Sequence, residues 1–267
     1  LLYFIPKKII IVGTIHDVKK LIHSTTQKLI TRRISNYFVL NEFLLRYFDN
    51  INISNFNLRA IYPIYFPQIE DLEVKKPENE FWIVVPGKIE QKRRNYKGII
   101  EAFAPYAVPP NLKVILLGSG NHFNGDGDLV RTMINGFGVE KNFIMFDEFL
   151  SSEKYFSYLK QADLLMPAIE PRTEFFDTYK TTQITGAYNL AFGFKIPMLI
   201  HDKLSHIKDL EEFGFFYNVS NISKQISYLF ENPEILKKMK EKMKNESKFF
   251  FSYQKKCYNE FIDFASK

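Results

Sequence analysis

The sequence predicts an α/β protein: a parallel sheet with helices on both faces from residue 81 onward, preceded by a partial second α/β domain. Three observations predict it. Short apolar runs alternate with stretches of helical periodicity between residues 81 and 197, the pattern of strand–helix–strand units. Glycine, arginine, lysine and threonine collect where those runs end, the place where open parallel sheets receive ligands. A polar, proline-punctuated stretch at 68–80 divides this region from a shorter strand-and-helix series before it.

Taken in order, residues 7–14 contain Ile9-Ile10-Ile11-Val12, a β-branched run of the kind found in buried strands. It leads into Ile15-His16-Asp17, which places a histidine at a strand end. A helix over 25–34, a strand over 37–40, a helix over 41–48 and a strand over 58–65 follow. Residues 1–67 therefore read as the later half of an α/β domain, and 68–80 as a linker. Phe81-Trp82-Ile83-Val84-Val85-Pro86-Gly87 opens the main domain, 81–232, and a basic loop with Arg93, Arg94 and Lys97 precedes the next helix. Leu112-Lys113-Val114-Ile115-Leu116-Leu117 runs into Gly118-Ser119-Gly120. Ser152 is placed to cap a helix bearing Phe156, Leu159 and Ala162 on one face. Ala162-Asp163-Leu164-Leu165-Met166-Pro167 is a further strand, and a threonine-rich helix start follows at Thr181, Thr182, Thr185 and Gly186. Short strands over 197–200 and 215–219 complete the domain. In 233–267, Ile235, Leu236, Met239 and Met243 form a helical stripe among lysines. Phe249-Phe250-Phe251, Phe261 and Phe264 follow, an aromatic density expected to pack these helices back on the N-terminal segment.

The whole chain sets bounds. At 267 residues and 46% apolar content it can bury a sizeable core, and its net charge of +6 suits phosphorylated ligands, nucleic acid or an anionic membrane without selecting one. Cys257 is the single cysteine, so no internal disulfide forms. No run reaches the ~18 apolar residues of a spanning helix, so a soluble or membrane-peripheral protein is expected. The chain opens inside an apolar stretch, Leu1-Leu2-Tyr3-Phe4-Ile5, without a methionine, which reads as the inside of a longer protein.

These residues resemble the GT-B glycosyltransferases, in particular the family-4-like "glycosyl transferases group 1". Thr14-Ile15-His16-Asp17 is similar to the family's strand-end histidine, and Val85-Pro86-Gly87 through Lys97-Gly98 to its basic diphosphate loop. Leu117-Gly118-Ser119-Gly120, the segment Gln161 to Pro167, and Ala191-Phe192-Gly193 on to Pro197 match further motifs in order. The resemblance covers nearly the whole chain and implies Rossmann-like domains, with a nucleotide-diphosphate sugar, such as a UDP- or GDP-sugar, held by the C-terminal one. It implies transfer to a hydroxyl of a glycan or lipid-linked acceptor in cell-surface polysaccharide synthesis. No cofactor, no metal and no nucleic acid are expected. The implied setting is cytoplasmic, with peripheral contact at the inner face of an anionic membrane. In one respect the chain departs: the family's two glutamates before the "A-x-G" turn fall here at Lys180 and Tyr188. That departure keeps two alternatives open, a nucleotide-sugar epimerase and a non-catalytic GT-B-like binding or scaffold subunit.

The site expectations follow. Gly87, Arg93, Arg94, Lys97, Gly118 and Gly120 on one side, and Thr181, Thr182, Thr185, Gly186 and Tyr188 on the other, are the donor-binding candidates. Cations and helix N-termini balance diphosphate charge that grows as the sugar leaves. The plain alternatives are a solvated basic loop and ordinary threonine capping. His16 and Asp17 are the catalytic candidates, against an ordinary packing or surface histidine. Asp126-Gly127-Asp128 mimics a metal motif but reads as a loop and helix cap. Glu170, Arg172 and Glu174 read as exposed charge, and His201 as structural. The lysine-rich helix after Pro233 reads as a surface helix packing its narrow stripe on its own protein, the alternative being an anionic membrane.

Overall fold

The computed structural model describes residues 4–6, 8–49, 51, 55–64, 66, 70, 72–104 and 108–267, and expectations falling on 1–3, 7, 65, 67–69 and 71 lie outside them. The chain folds into two compact units. One gathers Leu1–Tyr65, Asp177–Thr185 and Glu246–Lys267; the other gathers Phe66–Phe176 and Gly186–Asn245.

The first unit holds a three-stranded parallel sheet in the order β1 (Val12–Ile15), β2 (Asn36–Val39), β3 (Asn57–Ala60). Helices α1 (Lys19–His23) and α2 (Thr25–Thr31) connect the first two strands, and a 3-10 helix, Glu42–Phe48, follows the second. The strand expected at 7–14 is shorter and later. The Ile9 N–H donates to the Pro6 carbonyl, and Arg33 Nη2 donates to the carbonyls of Pro6 and Ile9, so the start of this apolar run is pinned outside the sheet. Ile9 and Ile10 are half exposed as a result. The strand expected at 58–65 likewise ends at Ala60.

Helix α11 (Phe251–Ala265) packs on this sheet: Phe38 stacks on Tyr258 and meets Phe261 edge-on, with ring centroids 5.0 and 4.8 Å apart. Gln254 Oε1 accepts from the Tyr62 N–H at 2.9 Å. The boundary expected at 233 falls later. Helix α10 (Pro233–Asn245) belongs to the second unit, where it buries Leu236 and Met243 and packs on α8 (Lys208–Phe213) and α9 (Ile222–Glu231). Two of its five lysines are bonded, Lys242 to the Glu212 carbonyl and Lys244 to Glu241, and burial pulls the Lys240 pKa below its ordinary value. Among the described residues no helix is long and apolar enough to cross a membrane.

The second unit is a six-stranded, all-parallel sheet. Its strands are β4 (Phe81–Pro86), β5 (Leu112–Ser119), β6 (Phe143–Phe146), β7 (Leu164–Leu165), β8 (Met198–His201) and β9 (Gly214–Tyr217). Their order is β6-β5-β4-β7-β8-β9. Counted within the sheet this is 3-2-1-4-5-6, the doubly wound Rossmann order. Central β4 is buried at all six positions because both of its faces are covered. Phe81, Ile83 and Val85 share a core with residues of α3 (Tyr96–Phe103), α4 (Gly127–Gly136) and α9. Trp82 faces the other way, onto Tyr158 of α5 (Ser152–Gln161), which packs beside α7 (Gly186–Phe194). Fully burying each such side chain contributes ~1.5–3 kcal/mol.

One strand was not anticipated and one expected cap is corrected. Strand β6 carries no sequence signal strong enough to announce it, since Ile144 is its only β-branched residue. Ser151, not Ser152, caps α5, accepting from the Lys154 N–H. The described part of the expected linker is strapped to α5. The Glu73 N–H donates to Ser157 Oγ, Gln161 bonds both the Val74 carbonyl and the Lys76 N–H, and Lys76 pairs with Asp163.

Candidate functional site

In the second unit the strand order reverses between β4 and β7, which opens a crevice at their C-terminal ends. The chain leaves β4 through Gly87, whose φ of +106° suits glycine. A side chain there would also strike Arg94, whose Nη2 would lie 2.6 Å from an added Cβ. Arg94 is half buried; its Nη1 lies 3.5 Å from the Lys88 carbonyl, and its Nε has no hydrogen-bond partner among the described residues. Its guanidinium is thus set against the end of the central strand with donors to spare. Arg93 is differently employed. Its Nε pairs with Glu90 at 2.6 Å, and its guanidinium lies over the Phe175 ring at 4.7 Å. Burial alone would raise the Glu90 pKa, but the Lys88 hydrogen bond and the charges of Lys88, Arg93 and Lys92 pull it below its ordinary value. Lys97 is exposed at the start of α3, 3.6 Å from Glu101.

Asn95 joins the two sides of the crevice. Its Oδ1 caps α3 by accepting from the Gly98 N–H, and its own N–H donates to the Ala168 carbonyl at 2.9 Å. Its Nδ2 donates to Glu170, whose other carboxylate oxygen accepts from Tyr217 Oη at 2.9 Å. Glu170 is only 1% exposed, so its reading as surface charge is corrected: it is a buried carboxylate just past the end of β7. Burial, and then the Glu170 charge, push the Tyr217 pKa well above its ordinary value. His201, at the end of β8, is also buried, and its ring centroid lies 5.5 Å from that of Tyr217. Burial lowers its pKa against the raising charges of Asp202 and Glu170. Asn95, Glu170, Arg172, Ser220, Ser223 and Lys224 line a cavity of about 240 Å³ beside this cluster.

The remaining expected residues fall as follows. Gly118 lies in β5, where an added Cβ would sit 2.3 Å from the Gly87 carbonyl oxygen, so this glycine lets two strand ends approach. Gly120 is packed by Arg131 and the Phe146 carbonyl. Asp126 does not cap α4 with its side chain; its carboxylate accepts from the Gln91 N–H and ties the β5 loop to the basic loop. Among the described residues no His, Cys, Asp and Glu cluster suited to a metal occurs.

The expected helix start at Thr181 is corrected. Helix α6 (Phe176–Thr181) ends there, because the N–H groups of Thr182 and Gln183 both donate to the Thr178 carbonyl and close the last turn. Helix α7 then begins at Gly186, with Tyr188 buried in its first turn at 1% exposure. Thr181, Thr182 and Thr185 belong to the first unit. There the Thr182 carbonyl accepts from the Val18 N–H, next to His16 and Asp17. His16 is exposed directly after β1, and Asp17 Oδ1 accepts from the Lys19 N–H at the start of α1.

The site's tyrosines give the protein an alkaline limit. Burial pushes the pKa of Tyr96 and Tyr155 up to about 12, with the Arg94 charge opposing the rise in both. Their raised folded values favour the neutral ring in the fold. That contribution is complete below about pH 10 and is lost as pH climbs through 12, at ~1.4 kcal/mol per pH unit for buried Tyr96. Denaturant midpoints should therefore fall steeply between pH 10 and 12, together with the tyrosinate absorbance change, and Tyr96→Phe should flatten that fall.

No protein-family model and no curated protein matches the sequence. Solved structures do. A sucrose-phosphate synthase from Thermosynechococcus elongatus is similar at a TM-score of 0.64 and 14% identity, over 96% of this chain and 68% of that one. A glycosyltransferase from Rickettsia africae ESF-5 is similar at 0.63 and 14%, over 96% and 70%. The lipopolysaccharide outer core galactosyltransferase WaaB, in its apo form, is similar at 0.57 and 12%, over 98% and 76%. The chain has the fold of the GT-B glycosyltransferases.

Proposed function

We propose that this chain binds a nucleotide-diphosphate sugar and transfers its sugar to a hydroxyl of a glycan or lipid-linked acceptor. The observation that carries the reading is the β4–β7 crevice at the switch point of a Rossmann sheet, where half-buried Arg94 lies against Gly87 and the next residue, Asn95, holds buried Glu170. The fold likeness to a sucrose-phosphate synthase and to a lipopolysaccharide galactosyltransferase supports sugar transfer and a cell-surface polysaccharide setting.

In this reading Arg94 and Lys97 hold the diphosphate, and Arg93 acts through Glu90 to shape the loop. Charge accumulating on the leaving diphosphate is balanced by those cations, so the reaction needs no metal. His16 is proposed to act on the transferred sugar. A second reading, binding without turnover, is favoured by Lys180 and buried Tyr188, which stand where the resemblance calls for carboxylates.

Calorimetry with uridine, guanosine and thymidine diphosphates tests the first step. Arg94→Ala should weaken the preferred ligand roughly ten- to a hundredfold, the value of one charge-assisted contact at ~1.5–3 kcal/mol. Release of nucleoside diphosphate from donor sugars, with and without acceptor, tests the second. Acceptor-dependent release that falls in His16→Ala, with nucleotide affinity kept, supports transfer. Donor isomerisation without acceptor would point to an epimerase, and binding without any turnover to the second reading. A wild-type protein that binds none of the three nucleotides overturns the proposal.

A further inference from the structure

In the first unit, β3 forms an edge of the sheet, and among the described residues no strand lies beyond it. The N–H groups of Asn57 and Ile61 donate to the Ser35 and Val39 carbonyls, toward β2. Alternate backbone groups of a strand face opposite ways, so the N–H and C=O groups of Leu58 and Ala60 point to the open side. Two hollows flank this edge where it meets α11. One, of about 410 Å³, is lined by Leu58, Arg59, Glu260, Phe261 and Phe264; the other, of about 370 Å³, by Ile61, Tyr62, Ile64, Phe251 and Tyr258. Helix α11 carries more apolar surface than its own sheet covers. It buries Gln254, Cys257 and Phe261, while Phe251, Tyr258 and Phe264 stay 53%, 47% and 55% exposed. The face also holds both signs of charge. Arg59 and Glu260 lie 3.6 Å apart, each about half exposed, and Lys256 lies 3.8 Å from the same Glu260.

We propose that two copies of this chain associate through the β3 edge and the exposed face of α11, as an antiparallel β3–β3 pair that joins two three-stranded sheets. The outward backbone groups call for an extended partner strand, and each copy supplies one to the other. The mixed charge selects the same partner. It disfavours a polyanion, whether nucleic acid or an acidic lipid surface, whereas a two-fold axis beside the edge brings Arg59 of each copy toward Glu260 of the other. Phe251, Tyr258 and Phe264 leave water in the same step, which accounts for apolar side chains that the fold itself leaves uncovered. The pairing edge lies across the sheet from β1, so it leaves His16 and Asp17 clear. The inference stands independently of nucleotide binding.

Sedimentation of the full chain over a range of concentrations is the test, and the wild type should pass from monomer to dimer. Ala60→Pro removes an outward N–H and no bond to β2, so it should weaken the dimer roughly tenfold or more while the thermal midpoint stays near that of the wild type. Phe264→Asp should weaken it in the same way. Arg59→Glu and Glu260→Arg should each self-associate poorly, and mixing the two variants should restore a heterodimer, which local damage by either change would not do. A wild type that stays monomeric overturns the proposal, as do dimers that every variant leaves unchanged. A mixture that associates no better than its components overturns the charge pairing and the two-fold arrangement with it. Wild-type binding to vesicles of anionic lipid, lost in Phe264→Asp and without self-association, would give this face to a membrane and overturn the pair.

Discussion

Replacing Glu170 by alanine is expected to cost the second unit roughly 2–6 kcal/mol, the penalty for stranding two buried donors at ~1–3 kcal/mol each. The donors are Tyr217 Oη and Asn95 Nδ2, on side chains that the fold hides almost completely. A thermal midpoint should drop by ~2–4 °C per kcal/mol for a unit of this size. Glu170→Gln separates charge from hydrogen bonding. Its amide oxygen still accepts one bond, so stability should recover in part. The alkaline titration of Tyr217 should move down, because the carboxylate charge that helps raise it is gone, while burial keeps it above the ordinary value. An alanine variant as stable as the wild type would show that this carboxylate does not organise the crevice.

The second large effect is expected at Gly118. Alanine there places a methyl group 2.3 Å from the Gly87 carbonyl oxygen and 3.2 Å from its carbon, so backbone, not a flexible side-chain tip, must move. Overpacking of this kind costs ~1–3 kcal/mol and sometimes more. The displaced residue is the one against which Arg94 sits, so nucleotide affinity should fall along with the urea midpoint. Gly136, in α4, is the control: nothing lies within 4 Å of its added Cβ, and alanine there should be neutral or stabilising by ~0.5–1 kcal/mol. Equal behaviour of the two variants would remove the steric account of the strand-end glycines.

Much of the second unit was legible because strands covered on both faces must be apolar throughout, as in Phe81–Pro86. The same signal misled at Ile9 and Ile10, where three isoleucines in a row look like a buried strand but Ile9 is pinned outside the sheet by its bonds with Pro6 and Arg33, and the strand starts only at Val12. The loop glycines and Arg94 could be placed from their position after a strand. Glu170 could not, because charge says nothing of burial until its partners are known, and Tyr217 lies 47 residues further on. The employment of Arg93 was hidden in the same way, since Glu90 was not read as its partner. Thr181 and Thr182 were misread because a threonine can also sit in a last helical turn, where Thr181 Oγ1 donates to the Asp177 carbonyl, and only the bonds to the Thr178 carbonyl show that a helix ends there.

The first unit is stitched from three distant stretches of chain, and the hydrogen bond from Tyr62 to Gln254 spans 192 residues. This has a consequence for the order of events during synthesis. The strands β1 to β3 leave the ribosome before the second unit, yet the helix that covers their sheet is made only after every residue of that unit. The early segment must therefore wait, with Phe38 and its neighbours uncovered, while the later-made unit can already fold. Long-range closure of this kind is slow, and the waiting surface is the one exposed to misassembly. A stalled chain released before residue 246 should thus give a folded second unit attached to a protease-sensitive N-terminal segment.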